Sequence, residues 1–266
     1  MTPRTLSTSL LALAALGGCA GSETGNGAVE HRHVAVVMRL DGGAPGLVAP
    51  DSAGVDFAID HAQALVEELD LWLPDGEPCS TRLDDATVAP AQTPYVAACS
   101  SDDTKLRVPG PWLVDLATGA LDPSLDALDL PDGPYARIDA RLRPARPGES
   151  SVHAGDPLDG KSIDVGGSVV IDGATRRWDL HLDFTDNARF VPAAPVEVGP
   201  GVASLMLLLD VSTWFDDLDL AACIASGEVP TDADGIFMLA DTAPRCGNVE
   251  AAIRREIREA GRLETH

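Results

Sequence analysis

The chain has 266 residues, with 42 Asp plus Glu against 19 Lys plus Arg and a formal charge of −23. Such a field repels nucleic-acid phosphates and anionic head groups and gathers cations near the surface. Hydrophobic residues make up 45% of the chain, enough for a substantial core, so disorder is excluded as its general state.

The first stretch reads as an export signal. Arg4 is the only charged side chain in "MTPRTLSTS", and residues 6–16 form an uncharged run rich in Leu and Ala. That run is well short of the roughly 20 residues a membrane-spanning helix needs. Cys19 follows it closely, and Leu16-Gly17-Gly18-Cys19 resembles the lipobox of bacterial lipoproteins. The resemblance implies that residues 1–18 are a lipoprotein signal peptide and that Cys19 is the lipid attachment point. Two or three acyl chains, at about 0.8 kcal/mol per buried methylene, hold such a protein on a membrane. Ala at position 20, where Asp would retain the product at the inner membrane, implies the outer membrane of the cell envelope. Residues 19–30, rich in Gly and small polar side chains, read as a flexible tether.

Beyond the tether the pattern has period two. "HRHVAVVMRL" (31–40) and "VDFAIDHA" (55–62) alternate, the latter with Val55, Phe57 and Ile59 on one face. "LVEELDLWLPDG" (65–76) alternates Leu69, Leu71 and Leu73 with Asp70 and Trp72 and stops at a Pro-Asp-Gly turn. Short segments bounded by Gly, Pro or Asp follow at 111–119, 130–142, 161–173, 176–184, 194–201 and 202–211. Asp172-Gly173 reads as a hairpin turn, with Trp178, Leu180, Leu182 and Phe184 alternating on the return strand. Pro and Arg crowd at 143–160, which predicts a long loop or boundary. The whole predicts a mainly β chain, an antiparallel β-sandwich over residues 31–247. Residues 248–263 predict a C-terminal amphipathic helix packed on it. Asn248 is the cap, Val249, Ile253, Ile257 and Ala260 form the apolar stripe, Glu250 stands four before Arg254, and Gly261 is the stop.

With Cys19 lipidated, Cys79, Cys99, Cys223 and Cys246 remain, and an exported protein with four cysteines has three possible disulfide pairings. Cys79 with Cys99 and Cys223 with Cys246 is the expected set, because each pair brackets a Pro-, Asp-, Ser- and Ala-rich stretch without strong periodicity. In the chain-entropy model loops of this size gain about 3 kcal/mol from a disulfide. Zinc fits less well, since no C-x-x-C occurs and no His lies near these cysteines.

"LPDGPYARIDARL", "DGATRRWDLHLDF" and "LLLDVSTWFDDLDL" together resemble a broad group of bacterial lipoproteins with a transthyretin-like or immunoglobulin-like sandwich. Leu130, Pro131, Gly133 and Tyr135 match an "LP-x-G-x-Y" strand start of that group. The resemblance implies a fold, and no functional residue beyond Cys19.

"GDPLDGKS" (155–162) matches the phosphate-loop pattern by letter, but no apolar strand precedes it and "IDVGGSVVID" alternates where a helix must follow, so no nucleotide is expected. There is no G-x-S-x-G and no H-E-x-x-H. His61 and His181 sit at strand positions; a concave pocket joining either to a Ser and a carboxylate would mark a hydrolase. Asp216, Asp217 and Asp219 are calcium candidates, being oxygen ligands close in sequence. Trp72, Trp112, Trp178 and Trp214 could stack a sugar, but Trp178 lies on an apolar face and core packing is the simpler use. The expected function is a lipid-anchored, non-catalytic module that binds or scaffolds an envelope protein or glycan. The alternatives are an envelope hydrolase with a loop-built site and a calcium-dependent adhesion or carbohydrate-binding protein.

Overall fold

The computed structural model describes residues 29–42, 46–83, 97–241, 246–259 and 261–266. Cys19, the lipobox and Ala260 lie outside the described residues. Among the described residues sixteen strands and two α-helices follow in chain order: β1 (His31–Asp41), β2 (Val48–Pro50), β3 (Asp56–Trp72), β4 (Ala98–Cys99), β5 (Lys105–Asp115), β6 (Ala120–Asp122), β7 (Leu128–Pro131), β8 (Gly133–Tyr135), β9 (Arg137–Leu142), β10 (Ile163–Ile171), β11 (Ala174–Leu182), β12 (Asp186–Phe190), β13 (Val196–Val198), β14 (Ser204–Asp210), α1 (Leu220–Ala225), β15 (Phe237–Met238), α2 (Val249–Glu259) and β16 (Gly261–Thr265).

The chain is mainly β, as its alternation predicts. Among the described residues 14 strands are joined in one sheet in the order β15-β11-β10-β3-β9-β12-β16-β14-β1-β7, with β2 and β5 added to the other edge of β3. β3 is long enough to serve several partners. Its first half pairs with β10 through Phe57–Ala64 and its second with β9 through Val66–Trp72, while β5 runs along the opposite edge from Gln63 to Trp72. Such branching lets one sheet fold over itself as two layers around a shared core. There Phe57, Trp178 and Phe215 meet edge to face, with centroids 5.4–6.0 Å apart. Each side chain of this size contributes about 1.5–3 kcal/mol on burial.

The sheet is not wholly antiparallel. β1 runs parallel to β14, β12 to β16 and β11 to β15. The predicted C-terminal helix also differs from the observed one. Asn248 caps it by accepting from Ala251 N, Glu250 pairs with Arg254 at 3.3 Å, and Val249, Ile253 and Ile257 are buried. The helix ends at Glu259, however, and residues 261–265 become β16, inserted between β12 and β14. Gly261 therefore opens a strand. A Cβ there would stand 2.1 Å from the Arg189 carbonyl, so the residue without a side chain permits the pairing.

Both disulfides form as the bracketing predicts, Cys79–Cys99 and Cys223–Cys246. Asp51, itself buried, accepts from Ala53 N and Val55 N through Oδ1 and from Ala221 N through Oδ2, which ties the turn before β3 to the start of α1. The 143–160 stretch is a loop that returns over the outer face of the sheet. Val152 and Leu158 pack with Leu65 and Ala145 in a small second apolar cluster, and Arg143 holds Glu149 through two bonds of 2.8 and 2.9 Å.

Candidate functional site

His61 on β3, Asp164 and Gly166 on β10, and Asp179 and His181 on β11 share one face of three adjacent strands. Asp164 is directly opposite His181 and Gly166 directly opposite both His61 and Asp179. On a pleated sheet such cross-strand neighbours meet. His181 Nε2 lies 3.0 Å from Asp164 Oδ1, and His61 Nε2 lies 3.5 Å from Asp164 Oδ2. One carboxylate, 2% exposed, thus stands between two imidazoles that are 44% and 27% exposed, His61 the more open.

Gly166 makes this arrangement possible. A Cβ there would sit 2.2 Å from both His61 Cε1 and Asp179 Oδ1, so these two side chains occupy the space that a larger residue would take. Next to it, Gly167 marks a shift in the β3–β10 register, and its missing Cβ leaves room for the Ala58 carbonyl, which would be 1.8 Å away.

The charges polarise one another. Burial alone would raise the Asp164 pKa, but His181 and His61 outweigh it and bring it to about 2. The contact with Asp164 raises both imidazoles above their ordinary range, against the opposing effect of burial. Asp179 adds to both and Asp60 to His61, while Lys161 opposes the shift at His181.

A cleft of about 480 Å³ opens beside this cluster, between the strands and the returning loop. His61, Gln63, Leu113 and Asp164 form the strand side; Ser151, Val152, Asp156, Pro157 and Leu158 form the loop side. Its size and its mixture of apolar wall and convergent polar groups are those of a small-molecule site. The cleft does join a His to a Ser and carboxylates. Yet the Ser151 hydroxyl donates to Asp122 Oδ2, and among the described residues no hydroxyl is hydrogen-bonded to either imidazole.

The other sequence candidates are placed apart. Asp217 pairs with Arg255 at 2.8 Å, Asp219 caps α1 by accepting from Ala222 N, and Asp216 is exposed. Among the described residues these three do not form a group able to share one ion. The groups that are close enough are Cys79, Cys99 and Asp103, and Cys223, Glu228 and Cys246. In both the sulfurs are joined as disulfides and offer no thiolate, so they do not fit a metal in this state. Trp112, Trp178 and Trp214 are buried in the core. Trp72 is half-buried, donates to Asp139 Oδ2 at 2.9 Å, and has Lys105 and Arg137 from the two neighbouring strands 4.5 and 4.2 Å from its ring. Cations rather than open solvent therefore cover it. Ser162, the last residue of the phosphate-loop pattern, is buried, donates to the Leu182 carbonyl and accepts from Phe184 N; strand β10 follows it.

No family model matches the sequence, and no curated protein does. Among solved structures, MbnP from Methylosinus trichosporium is similar over 72% of this chain and 79% of that one, with 16% identity and a TM-score of 0.33. At that score the two backbones differ too much for the likeness to bear on the site.

Proposed function

We propose that this chain is a lipid-anchored binding module of the bacterial cell envelope, exported through the signal of residues 1–18 and attached at Cys19, probing its surroundings with a β-sandwich body. The transthyretin-like or immunoglobulin-like lipoprotein resemblance belongs to the same reading. Two disulfides among the remaining cysteines support export to an oxidising compartment. The observation that favours binding over hydrolysis is the use of the Ser151 hydroxyl. It is held by Asp122 and not by an imidazole, so the cleft has an acid–base pair without an activated nucleophile.

The test of anchoring is metabolic labelling with palmitate. Label on the wild type and none on Cys19→Ala, with the mature product starting at residue 19, supports the proposal; an unlabelled wild type, or one retaining residues 1–18, overturns it. A second reading, hydrolysis, draws on the presence of His61, Ser151, Asp156 and Asp164 in one cleft. Turnover of p-nitrophenyl acetate that disappears in Ser151→Ala would establish it, and turnover that is absent or unchanged rules against it.

A further inference from the structure

We propose that the cleft between the 143–161 loop and strands β3 and β10 binds a small organic cation, its ammonium group on Asp164 and Asp156 and its apolar body on Val152, Pro157 and Leu158, in exchange for protons on His61 and His181. This inference rests on the binding-module reading and names the ligand class of its site.

Size comes first. A space of about 480 Å³ with an apolar wall suits an organic body. A bare metal ion needs several ligand atoms in mutual reach, and His61, Asp164 and His181 do not form such a group.

Charge decides the sign of the ligand. His61 faces Asp164, Asp179 and Asp60, with Asp156 across the cleft, where Asp156 accepts from His153 N at 2.6 Å and has the His153 imidazole 3.5 Å away. His181 faces Asp164, Asp179 and Lys161. When these imidazoles are neutral the groups carry four carboxylates against one ammonium, and an anionic ligand is repelled. Of these carboxylates Asp164 is the one almost fully buried, and there a compensating charge is worth most.

Hydrogen-bonding capacity points the same way. Asp164 lines the cleft almost fully buried, and the partner of its Oδ1 is His181 Nε2 at 3.0 Å, which donates only while that nitrogen carries a proton. Asp179 Oδ1 beside it is also buried and accepts no hydrogen bond. A buried acceptor left open in this way is stabilised by a donor, and an ammonium supplies donors and charge together. Because protonated His61 and His181 already balance Asp164 and Asp179, an arriving cation displaces their protons. Binding therefore tightens as pH rises.

Calorimetry on the full chain in detergent, with hexylamine as the probe, tests this. The expected result is one site whose affinity rises roughly tenfold between about pH 5.5 and about pH 8, with proton release visible as a dependence on buffer ionisation heat. Hexanol and hexanoate should bind at least about tenfold more weakly than hexylamine. Asp164→Asn should abolish binding, and Asp156→Asn, at a half-exposed loop carboxylate whose replacement can still accept from His153 N, should weaken it severalfold in a chain that still folds. Equal affinity for hexanol, affinity that is flat or falls with pH, or indifference to Asp156→Asn in a folded chain each overturns the proposal. So does zinc chloride binding more tightly than hexylamine with release of the same protons. A chain that takes palmitate but ignores hexylamine loses this inference and keeps the anchored-module reading; a chain that binds hexylamine without palmitate does the reverse.

Discussion

Gly166 and Gly167 are neighbours with opposite surroundings, and exchanging each for Ala should separate the site from the fold. At Gly167 the new Cβ would stand 1.8 Å from the Ala58 carbonyl oxygen, against an ordinary contact of at least 3.4 Å, and that neighbour is backbone. Strands β3 and β10 must open by about 1.5 Å, a large fraction of the roughly 4.8 Å between paired strands. Losing two ladder hydrogen bonds at about 1 kcal/mol each, with about 1–3 kcal/mol of overpacking, predicts a loss of about 3–5 kcal/mol. For a chain of this length that is on the order of 10 °C in Tm. At Gly166 the atoms nearest the new Cβ would be the ends of His61 and Asp179, each at 2.2 Å, and the half-exposed His61 ring can turn into the cleft. We expect Gly166→Ala to cost about 1 kcal/mol, near the lower end of overpacking in relaxed sites. It should also return the His61 pKa toward its ordinary value by taking the ring off Asp164, while His181 stays raised. Urea unfolding followed by tryptophan fluorescence gives the energies, and imidazole Cε1–H signals in an NMR titration give the pKa values. Equal losses for the two variants, or an unchanged His61 titration in Gly166→Ala, would refute this account of the two glycines.

Two more expectations concern pH and the C-terminus. Asp164 falls from 3.8 unfolded to about 2 folded, a contribution of about 2 kcal/mol that is present above pH 3.8 and lost as pH falls through about 2. His61 and His181 are raised from 6.5, so their contribution is complete below pH 6.5 and is lost as pH rises through their folded values. Urea midpoints across pH should accordingly peak between these flanks, and Asp164→Asn should flatten both; an unchanged profile contradicts the His-Asp-His coupling. Deleting residues 261–266 removes β16 and leaves β12 and β14 with unpaired edges, so the truncated chain should lose its cooperative thermal transition by circular dichroism. A transition within a few degrees of the full chain would mean that α2 alone closes this side.

What could be read beforehand follows from range along the chain. The alternation of Phe57 and Ile59, the Asp172-Gly173 hairpin, the Asn248 cap and the two disulfides are all encoded within short windows, the longest being the 23-residue separation of Cys223 and Cys246, and the structure shows each of them. The parallel pairing of β1 with β14 joins Ala35 to Ser204, and nothing local specifies it. β16 carries little local signal because only Gly261 and Leu263 of its five residues are buried, so a helix stripe running up to Gly261 explains the same letters. The site was legible only in part. His61 and His181 both stand at strand positions, but their meeting on Asp164 depends on the register shift at Gly166 and Gly167, which moves the diagonal neighbours of β3 by one residue. Asp164 itself interrupts an apolar run between Ile163 and Val165, and its burial comes from the loop and strands around it, not from its own segment.

The geometry of β3 also bears on how anchoring and binding can coexist. The amide of Asp132 donates to the Glu30 carbonyl at 2.8 Å, and the amide of Ala136 donates to the Trp72 carbonyl at 2.8 Å, so the end of β3 lies near where the described chain begins. His61 is about eleven residues back along the same strand, which at roughly 3.3 Å per residue is up to about 36 Å, less what the twist and the irregularity between Val66 and Glu68 remove. If Cys19 carries lipid, the tether meets the body at the Trp72 end, and the cleft lies toward the other end of the strand. Head groups then compete little for the space in front of His61, and the cleft opens to solvent whose cations the acidic body has already enriched. Loss of the anchor should for this reason leave hexylamine affinity untouched, and loss of Asp164 should leave palmitate incorporation untouched. Any coupling between the two measurements would place the cleft at the membrane-proximal end.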